Sequence, residues 1–111
     1  MQDVSLYFRA LSDRKRLAIL QYLSHHEHVP VTELGEKLRL SQPLISWHLR
    51  VLRRAGVVNT RRTGRQVLCS LNRQALWRYQ KRIEELFGLA DQTIESAGES
   101  HELALEPAPQ T

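Results

Sequence analysis

The segment that decides the fold is Leu40–Gly56, which reads LSQPLISWHLRVLRRAG. Ser41 predicts a helix N-cap, and the proline two residues later fits a first helical turn, where its missing N–H has no intrahelical partner. Gly56 predicts the end of the same helix, because glycine favours the left-handed conformation that follows many helix C-termini. The segment therefore predicts a helix over residues 41–55.

The two faces of this helix differ in chemistry. One face, expected to pack inward at helical spacing, carries Leu44, Ile45, His48, Leu49 and Leu52. The other face carries Pro43, Ser46, Trp47, Arg50 and Arg54, with Gln42 at its N-terminal end. A helix fits the major groove of DNA, where glutamine can pair with adenine and arginine with guanine or a phosphate. The polar face therefore predicts contact with duplex DNA.

The flanking segments complete a fold. Upstream, apolar residues at helical spacing predict a helix in residues 4–11, a second that starts at Ser12 and Asp13, and a short third capped by Thr32. Downstream, β-branched residues on either side of Gly64 predict a two-stranded hairpin whose basic tip is Arg61–Gln66. The order predicts a mainly α chain with a small β-hairpin, a winged helix-turn-helix.

The last apolar pattern predicts self-association. Seam positions follow a heptad spacing from Leu76 to Ala90, in a helix predicted over residues 73–96 and about 36 Å long. Because so long a helix has little to pack on in one small domain, we expect a second copy to cover it. The predicted dimer contacts are Leu6, Leu76, Tyr79, Ile83, Leu86, Phe87 and Ala90.

Length and charge bound the class of protein. The 111 residues suffice for one domain, predicted over residues 1–97, followed by a disordered acidic tail over residues 98–111. No acidic residue lies between Lys37 and Ile83, whereas seven follow. This basic stretch favours a polyanionic partner, the alternative being that the acidic end neutralises it.

Other classes of protein are not indicated. A single cysteine excludes an internal disulfide, and no apolar run is long enough for a transmembrane helix. The N-terminus shows no secretory signal pattern, so we expect a cytoplasmic protein without a membrane partner. No nucleophile–base set, phosphate loop or paired carboxylate is present, which predicts that the chain is not an enzyme.

Five segments resemble the ArsR/SmtB winged-helix repressors over about residues 5–95. They are Phe8–Asp13 (FRALSD), Arg16–Leu20 (RLAIL), Leu40–Leu52, Ala55–Val58 (AGVV) and Arg61–Arg65 (RRTGR). The resemblance implies a homodimer built from the first and last helices and an operator with dyad symmetry. It also implies repression that is relieved by an inducer, often a metal ion.

The metal-binding residues of that family do not carry over. Pro30 and Thr32 stand where one group of sensors has a Cys-x-Cys pair. The places of a second ligand set, on the last helix, hold Arg73, Ala75, Leu86 and Leu89, which do not form an adequate set. The remaining candidate ligands for nickel or zinc are His25, His26 and His28. No cofactor is expected to be required.

These patterns predict a sequence-specific DNA-binding transcriptional regulator, a repressor that acts as a homodimer. Two alternatives stay open: a nickel or zinc sensor that uses the histidine loop, and a protein-interaction module with weak DNA binding. The predicted DNA contacts are Ser41, Gln42, Pro43, Ser46, Trp47, His48, Arg50, Arg54, Arg61, Arg62, Arg65 and Gln66.

Overall fold

The computed structural model describes residues 3–89, which form five helices and three strands. The elements are α1 (Val4–Leu11), α2 (Arg14–Ser24), β1 (Val29–Pro30), α3 (Val31–Leu38), α4 (Gln42–Arg54), β2 (Val58–Thr63), β3 (Gln66–Leu71) and α5 (Arg73–Leu86). The predicted mainly α architecture is thereby confirmed. The chain divides into two compact units, one ending at Tyr79 and the other beginning at Gln80. No helix in the described range is long and apolar enough to cross a membrane.

Side-chain caps fix the starts of α2, where the sequence predicts Asp13, and of α5. The Asp13 carboxylate accepts hydrogen bonds from the backbone N–H groups of Lys15 at 2.7 Å and Arg16 at 3.2 Å. The Asn72 side chain accepts one from the N–H of Ala75 at 3.1 Å. These bonds satisfy amides that have no partner within the helix, so both helices begin where the caps place them.

The sheet has one strand more than predicted. Its order is β1-β3-β2, with Val29 opposite Cys69 and Val58 opposite Leu71, both pairs antiparallel. Because β1 leads straight into α3 with Pro30 as the N-cap, Thr32 lies inside the first turn, and its predicted capping role is wrong. The hairpin of β2 and β3 turns at Gly64, whose φ of 64° suits glycine.

A tight turn joins α3 to α4. Arg39 adopts a left-handed conformation with a φ of 58°, and the N–H of Leu40 donates to the carbonyl of Gly35 at 2.9 Å. A Cβ atom at position 35 would come within 3.2 Å of the carbonyl oxygen of Leu40, so glycine permits this close approach. The side chain of Leu40 is buried, so the turn is anchored in the core between α3 and α4.

The inward face of α4 is confirmed apart from its first member. The side chains of Ile45, His48, Leu49 and Leu52 are buried, whereas Leu44 is 40% exposed. The buried four follow the spacing i, i+3, i+4, i+7, which defines one stripe of a helix. Leu44 lies at the edge of that stripe, and the prediction that it packs inward is wrong.

The last helix is shorter than predicted. Helix α5 ends at Leu86, Gly88 has a φ of 65°, and the N–H of Leu89 donates to the carbonyl of Glu84 at 2.8 Å. A glycine in this conformation closes a helix, so α5 is about 21 Å long instead of 36 Å, and a continuous helix over residues 73–96 is wrong. The predicted contact Ala90 and the predicted tail over residues 98–111 lie outside the described residues.

Candidate nucleic-acid interface

The outer face of α4 presents the predicted polar residues to solvent. Ser46 is half-buried, and the exposed members are Ser41, Gln42, Pro43, Trp47, Arg50 and Arg54. The Trp47 side chain is 51% exposed, and the guanidinium carbon of Arg50 lies 6.0 Å from the centre of its ring. This distance suits a cation–π contact, which holds the arginine close to the helix surface. The face thus offers an indole and guanidinium groups side by side.

His48 does not belong to that face. Its side chain is only 5% exposed, because it follows Ile45 by three residues on the buried stripe. Its Nδ1 atom lies 3.2 Å from Nη1 of Arg16 on α2. The prediction that His48 contacts DNA is therefore wrong, and the residue joins the inner side of α4 to the rest of the protein.

Arg16 is a buried cation held by three acceptors. Only 8% of the residue is exposed, and its Nε donates to the carbonyl of Ala10 at 2.9 Å, while Nη2 donates to that of Arg9 at 3.1 Å. These carbonyls lie in the last turn of α1, which carries the negative end of the helix dipole. Arg16 therefore connects α1 to α4 through His48, a function that the sequence pattern does not indicate.

The contact with Arg16 sets the protonation state of His48. Since a guanidinium can only donate hydrogen bonds, Nδ1 of His48 must accept, which places the ring proton on Nε2 and leaves the ring neutral. Burial lowers the pKa of His48 below its ordinary value of 6.5; the charge of Asp13 opposes this shift, and those of Arg16 and Lys15 support it. The neutral ring is thus the form that the fold requires.

The wing carries the second part of the basic surface. Its exposed residues at the hairpin tip are Arg61, Arg62, Arg65 and Gln66, as predicted. Arg53 of α4 donates from Nη1 to the hydroxyl of Thr60 on β2 at 3.3 Å, which ties the base of the wing to α4. Arg53 is not among the predicted DNA contacts, because helical periodicity gives no signal for a contact with a strand that follows later in the chain.

A cleft of about 380 Å³ lies between α4 and the wing. Gln42, Ser46, Arg50 and Arg53 line its α4 side, and residues 65–67 line its wing side. The fold thus brings together predicted DNA contacts that are up to 24 positions apart, from 42 to 66. One concave surface therefore combines amide, hydroxyl and guanidinium groups.

Within residues 3–89, the basic surface of α4 and the wing has no carboxylate ion-pair partner. Among residues 3–89, the ion pairs are Lys81–Glu84 at 3.9 Å and Arg82–Glu85 at 3.6 Å, both on α5. No described carboxylate therefore lies within 4.0 Å of an arginine of α4 or the wing. Unpaired guanidinium groups on a protein surface attract phosphates, because binding releases counterions from the nucleic acid.

In the part of the chain that the structure describes, the side chains of the histidine loop are not grouped as metal ligands. Nδ1 of His25 lies 3.2 Å from the carbonyl of Gln21, and Nδ1 of His26 lies 2.9 Å from that of Tyr22, against whose ring it stacks at 4.2 Å. His28 is exposed. Within residues 3–89, no three His, Cys, Asp or Glu side chains are grouped so that they could hold a metal ion. Neighbours in a loop point along different directions, and here two rings turn back onto the end of α2.

Cys69 is buried in the sheet, where it packs as a small apolar side chain. It is fully inaccessible, and burial raises the pKa of its thiol to about 11, although the charge of Arg53 acts in the opposite direction. At neutral pH the reactive thiolate form is therefore disfavoured.

Tyr79 belongs to the core and not to a partner surface. It is 2% exposed, its ring stacks on that of Tyr7 at 4.2 Å, and its hydroxyl donates to the carbonyl of Ala55. Its predicted role as a dimer contact is wrong, because the ring of Tyr7 on α1 already packs against this side chain within the same chain. Leu6 and Leu76 are half-buried, and Phe8, Leu17 and Trp77 are exposed apolar side chains on α1, α2 and α5, respectively.

Three further predicted dimer contacts lie on α5 beyond Tyr79 or just after the helix. Ile83 is half-buried, while Leu86 and Phe87 are exposed. Exposed apolar side chains of this size favour association with a partner. A dimer contact at these three residues therefore remains a prediction.

Comparison with known proteins identifies the family. A family model described as a helix-turn-helix domain matches residues 11–61. The chain is 38% identical over 74 residues to the regulator YceK of Bacillus subtilis, covering 65% of this chain and 73% of the relative. It is 44% identical over 63 residues to the transcriptional repressor SmtB of Mycobacterium tuberculosis, covering 57% of this chain and 46% of that protein.

Solved structures agree with these relatives. An ArsR-like transcriptional regulator from Rhodococcus superposes with a TM-score of 0.70 at 25% identity, covering 84% of this chain and 87% of the other. HlyU from Vibrio cholerae does so with a TM-score of 0.60 at 32% identity, covering 75% and 89%. The chain belongs to the ArsR/SmtB family of winged-helix transcriptional regulators. This ArsR/SmtB member spans about half the length of the mycobacterial repressor.

Proposed function

We propose that this ArsR/SmtB chain is a homodimeric repressor that binds duplex DNA in a sequence-specific manner. The observation that carries the proposal is the basic surface shared by α4 and the wing, whose arginines are exposed and have no described carboxylate within 4.0 Å. In this proposal α4 enters the major groove, where Gln42 and Arg50 reach base edges. The arginines of the wing contact the backbone or the minor groove.

Dimerisation would place two such helices on one operator. Phe8 of α1 and Trp77 of α5 provide exposed apolar area on the first and last helices, the elements that the family resemblance assigns to the dimer. A two-fold axis would present two α4 helices to half-sites one helical turn apart, about 10 base pairs or a multiple of that spacing. Sedimentation equilibrium tests this part, and a monomer at micromolar concentration would contradict it.

A salt titration tests the DNA-binding part. We expect the protein to shift a duplex from its own upstream region, with a slope of log affinity against log salt of about −5 if about six phosphates are contacted. Arg61→Ala should reduce the slope by about one unit. Arg82→Ala is the matched control, because Arg82 lies on α5 and pairs with Glu85 at the surface. A slope near zero would contradict the electrostatic basis of the proposal.

The direction of regulation needs a separate measurement. Relatives are named both as repressors, such as SmtB, and as an activator, HlyU of Vibrio cholerae. We propose repression, and we expect expression from the bound promoter to rise when the gene that encodes this chain is deleted. A fall in expression would indicate that the protein is an activator that uses the same DNA-binding surface.

The nickel or zinc response stays a prediction. The described residues do not group three ligands, so this response is not our preferred function. Titration of operator affinity with each metal, for the native chain and for a His25, His26 and His28 triple alanine variant, tests it. A change in affinity that the triple variant abolishes would support the sensor alternative.

A further inference from the structure

We propose that the cleft between α4 and the wing binds a small organic monocarboxylate, which competes directly with DNA. The competition rests on the proposed function, whereas binding of the acid to the free protein does not. The proposal follows from the chemistry of the cleft, which has an apolar floor as well as a cationic rim.

The floor of the cleft is hydrocarbon. Pro30 and Val31 at the start of α3, Leu49 of α4 and Val67 of β3 contribute to its lining. Three of these four residues are half-buried and Leu49 is buried, so the floor is set into the protein. Apolar surface stabilises a hydrocarbon group that leaves water, but it contributes nothing to the binding of a phosphate. The floor therefore has no function in the electrostatic grip on a DNA backbone.

The rim of the cleft suits a single carboxylate. Arg50, Arg53 and Arg65 line it together with the hydroxyl-bearing residues Ser46 and Thr60. Guanidinium groups bind carboxylates through paired, charge-assisted hydrogen bonds. Arg53 is already oriented by its bond to the Thr60 hydroxyl at 3.3 Å, and no described carboxylate lies within 4.0 Å of it.

The size of the cleft selects a small molecule. Its volume of about 380 Å³ lies at the lower end of the range of pockets that hold small ligands. A molecule with one apolar body on the floor and one carboxylate at the rim would fit within this volume. Fatty acids of medium length and aromatic acids have this chemistry.

Occupation of the cleft would exclude DNA. Gln42 and Arg50 line the cleft and are also predicted to reach base edges. A bound acid would cover them and neutralise positive charge on the surface that attracts phosphates. Acid and duplex therefore bind the same residues in mutually exclusive ways.

The test uses benzoate, cinnamate and octanoate as probes, each with its neutral amide as the matched control at equal ionic strength. Calorimetry with the full chain in the absence of DNA measures binding of each probe. Anisotropy of a labelled duplex measures competition. We expect at least one acid to bind at millimolar concentration or below. At ten times its dissociation constant, that acid should weaken DNA binding about elevenfold, without a plateau at higher concentration.

A variant in the floor locates the site. Val67→Asp places a carboxylate where the hydrocarbon would lie and should abolish binding of the acid; circular dichroism checks that the variant folds. Val67→Leu, which keeps the floor apolar, should retain binding. The proposal is overturned if no acid binds, if the amides bind equally well, if Val67→Asp binds normally, or if displacement reaches a plateau. If DNA itself fails to bind, the proposed function fails, while calorimetry still decides the acid site.

Discussion

The inner and outer faces of α4 use the same kinds of side chain under opposite conditions. On the inner face, His48 contacts Arg16 of α2; both residues are buried, and the ring and the guanidinium group are each bound by a protein donor or acceptor. Outside, Trp47 and Arg50 are exposed and contact mainly each other. The difference teaches that residue type alone does not identify a binding group. An arginine whose hydrogen bonds are used by the fold supports the helix, and one whose donors face water is available to a partner.

The largest expected effect concerns the apolar part of the inner face. Leu52→Ala removes a fully buried side chain and should lower the free energy of unfolding by about 2–5 kcal/mol, because it leaves a cavity. Urea denaturation measures the change. Trp47→Ala on the outer face is the control and should alter stability by no more than about 0.5 kcal/mol. Equal losses of unfolding free energy in the two variants would contradict the assignment of Leu52 to the core and of Trp47 to the surface.

The second test removes the buried cation. Arg16→Leu should destabilise the protein by about 2–3 kcal/mol, because two carbonyls and Nδ1 of His48 lose their donor in a buried place. A cycle with His48→Leu sharpens the result. The double variant should recover part of the loss, with a coupling of about 0.5–3 kcal/mol, since the unpaired imidazole is then also gone. Strict additivity in urea melts would show that the contact contributes nothing.

The third test moves to the outer face. Arg50→Ala should weaken operator binding by about 1–3 kcal/mol and leave the urea midpoint almost unchanged, because the side chain is exposed. Binding to operators with single base changes separates two roles. Relaxed preference at one position indicates a base contact, and uniform loss indicates a phosphate contact. Loss of stability without loss of affinity would contradict the assignment of this face to DNA.

The smallest effect is a pH dependence that belongs to the inner face. Burial lowers the pKa of His48 in the folded state, so the unfolded chain binds more protons as the pH falls through about 6.5. The stability contributed by neutral His48 is therefore fully present above that pH and is lost as the pH falls through the lower folded value. Urea midpoints measured between pH 7.5 and 5 should fall more steeply for the native chain than for His48→Gln. Parallel curves would show that His48 does not titrate in this way.

Helical periodicity predicted most of what lies on one helix. The stripe of Ile45, Leu49 and Leu52 follows from a repeat of 3.6 residues, and Leu44 failed because it lies at the edge of that stripe. The end of α5 could also have been predicted from the sequence, because Gly88 lies within the heptad pattern and glycine commonly ends a helix. The two-residue strand β1 was not, because so short a segment carries no alternation.

Contacts between residues that are far apart in the sequence could not be predicted from a periodic pattern. Arg16 and His48 are 32 positions apart, and nothing in their own segments indicates that they meet. The exposed arginines of α4 and the wing were predicted because charge and period suffice to place them on a surface. The apolar floor of the cleft was not predicted, since Val31, Leu49 and Val67 come from three elements that only the fold brings together.

The hydroxyl of Tyr79 links α5 to α4. It donates to the carbonyl of Ala55, the C-cap residue that follows α4, and so holds α5 against the C-terminal end of α4. In the proposed dimer, the helix that joins the two copies would then also determine the separation of the two reading helices. In that dimer, a rotation of one α5 against its twin would change the half-site spacing that fits.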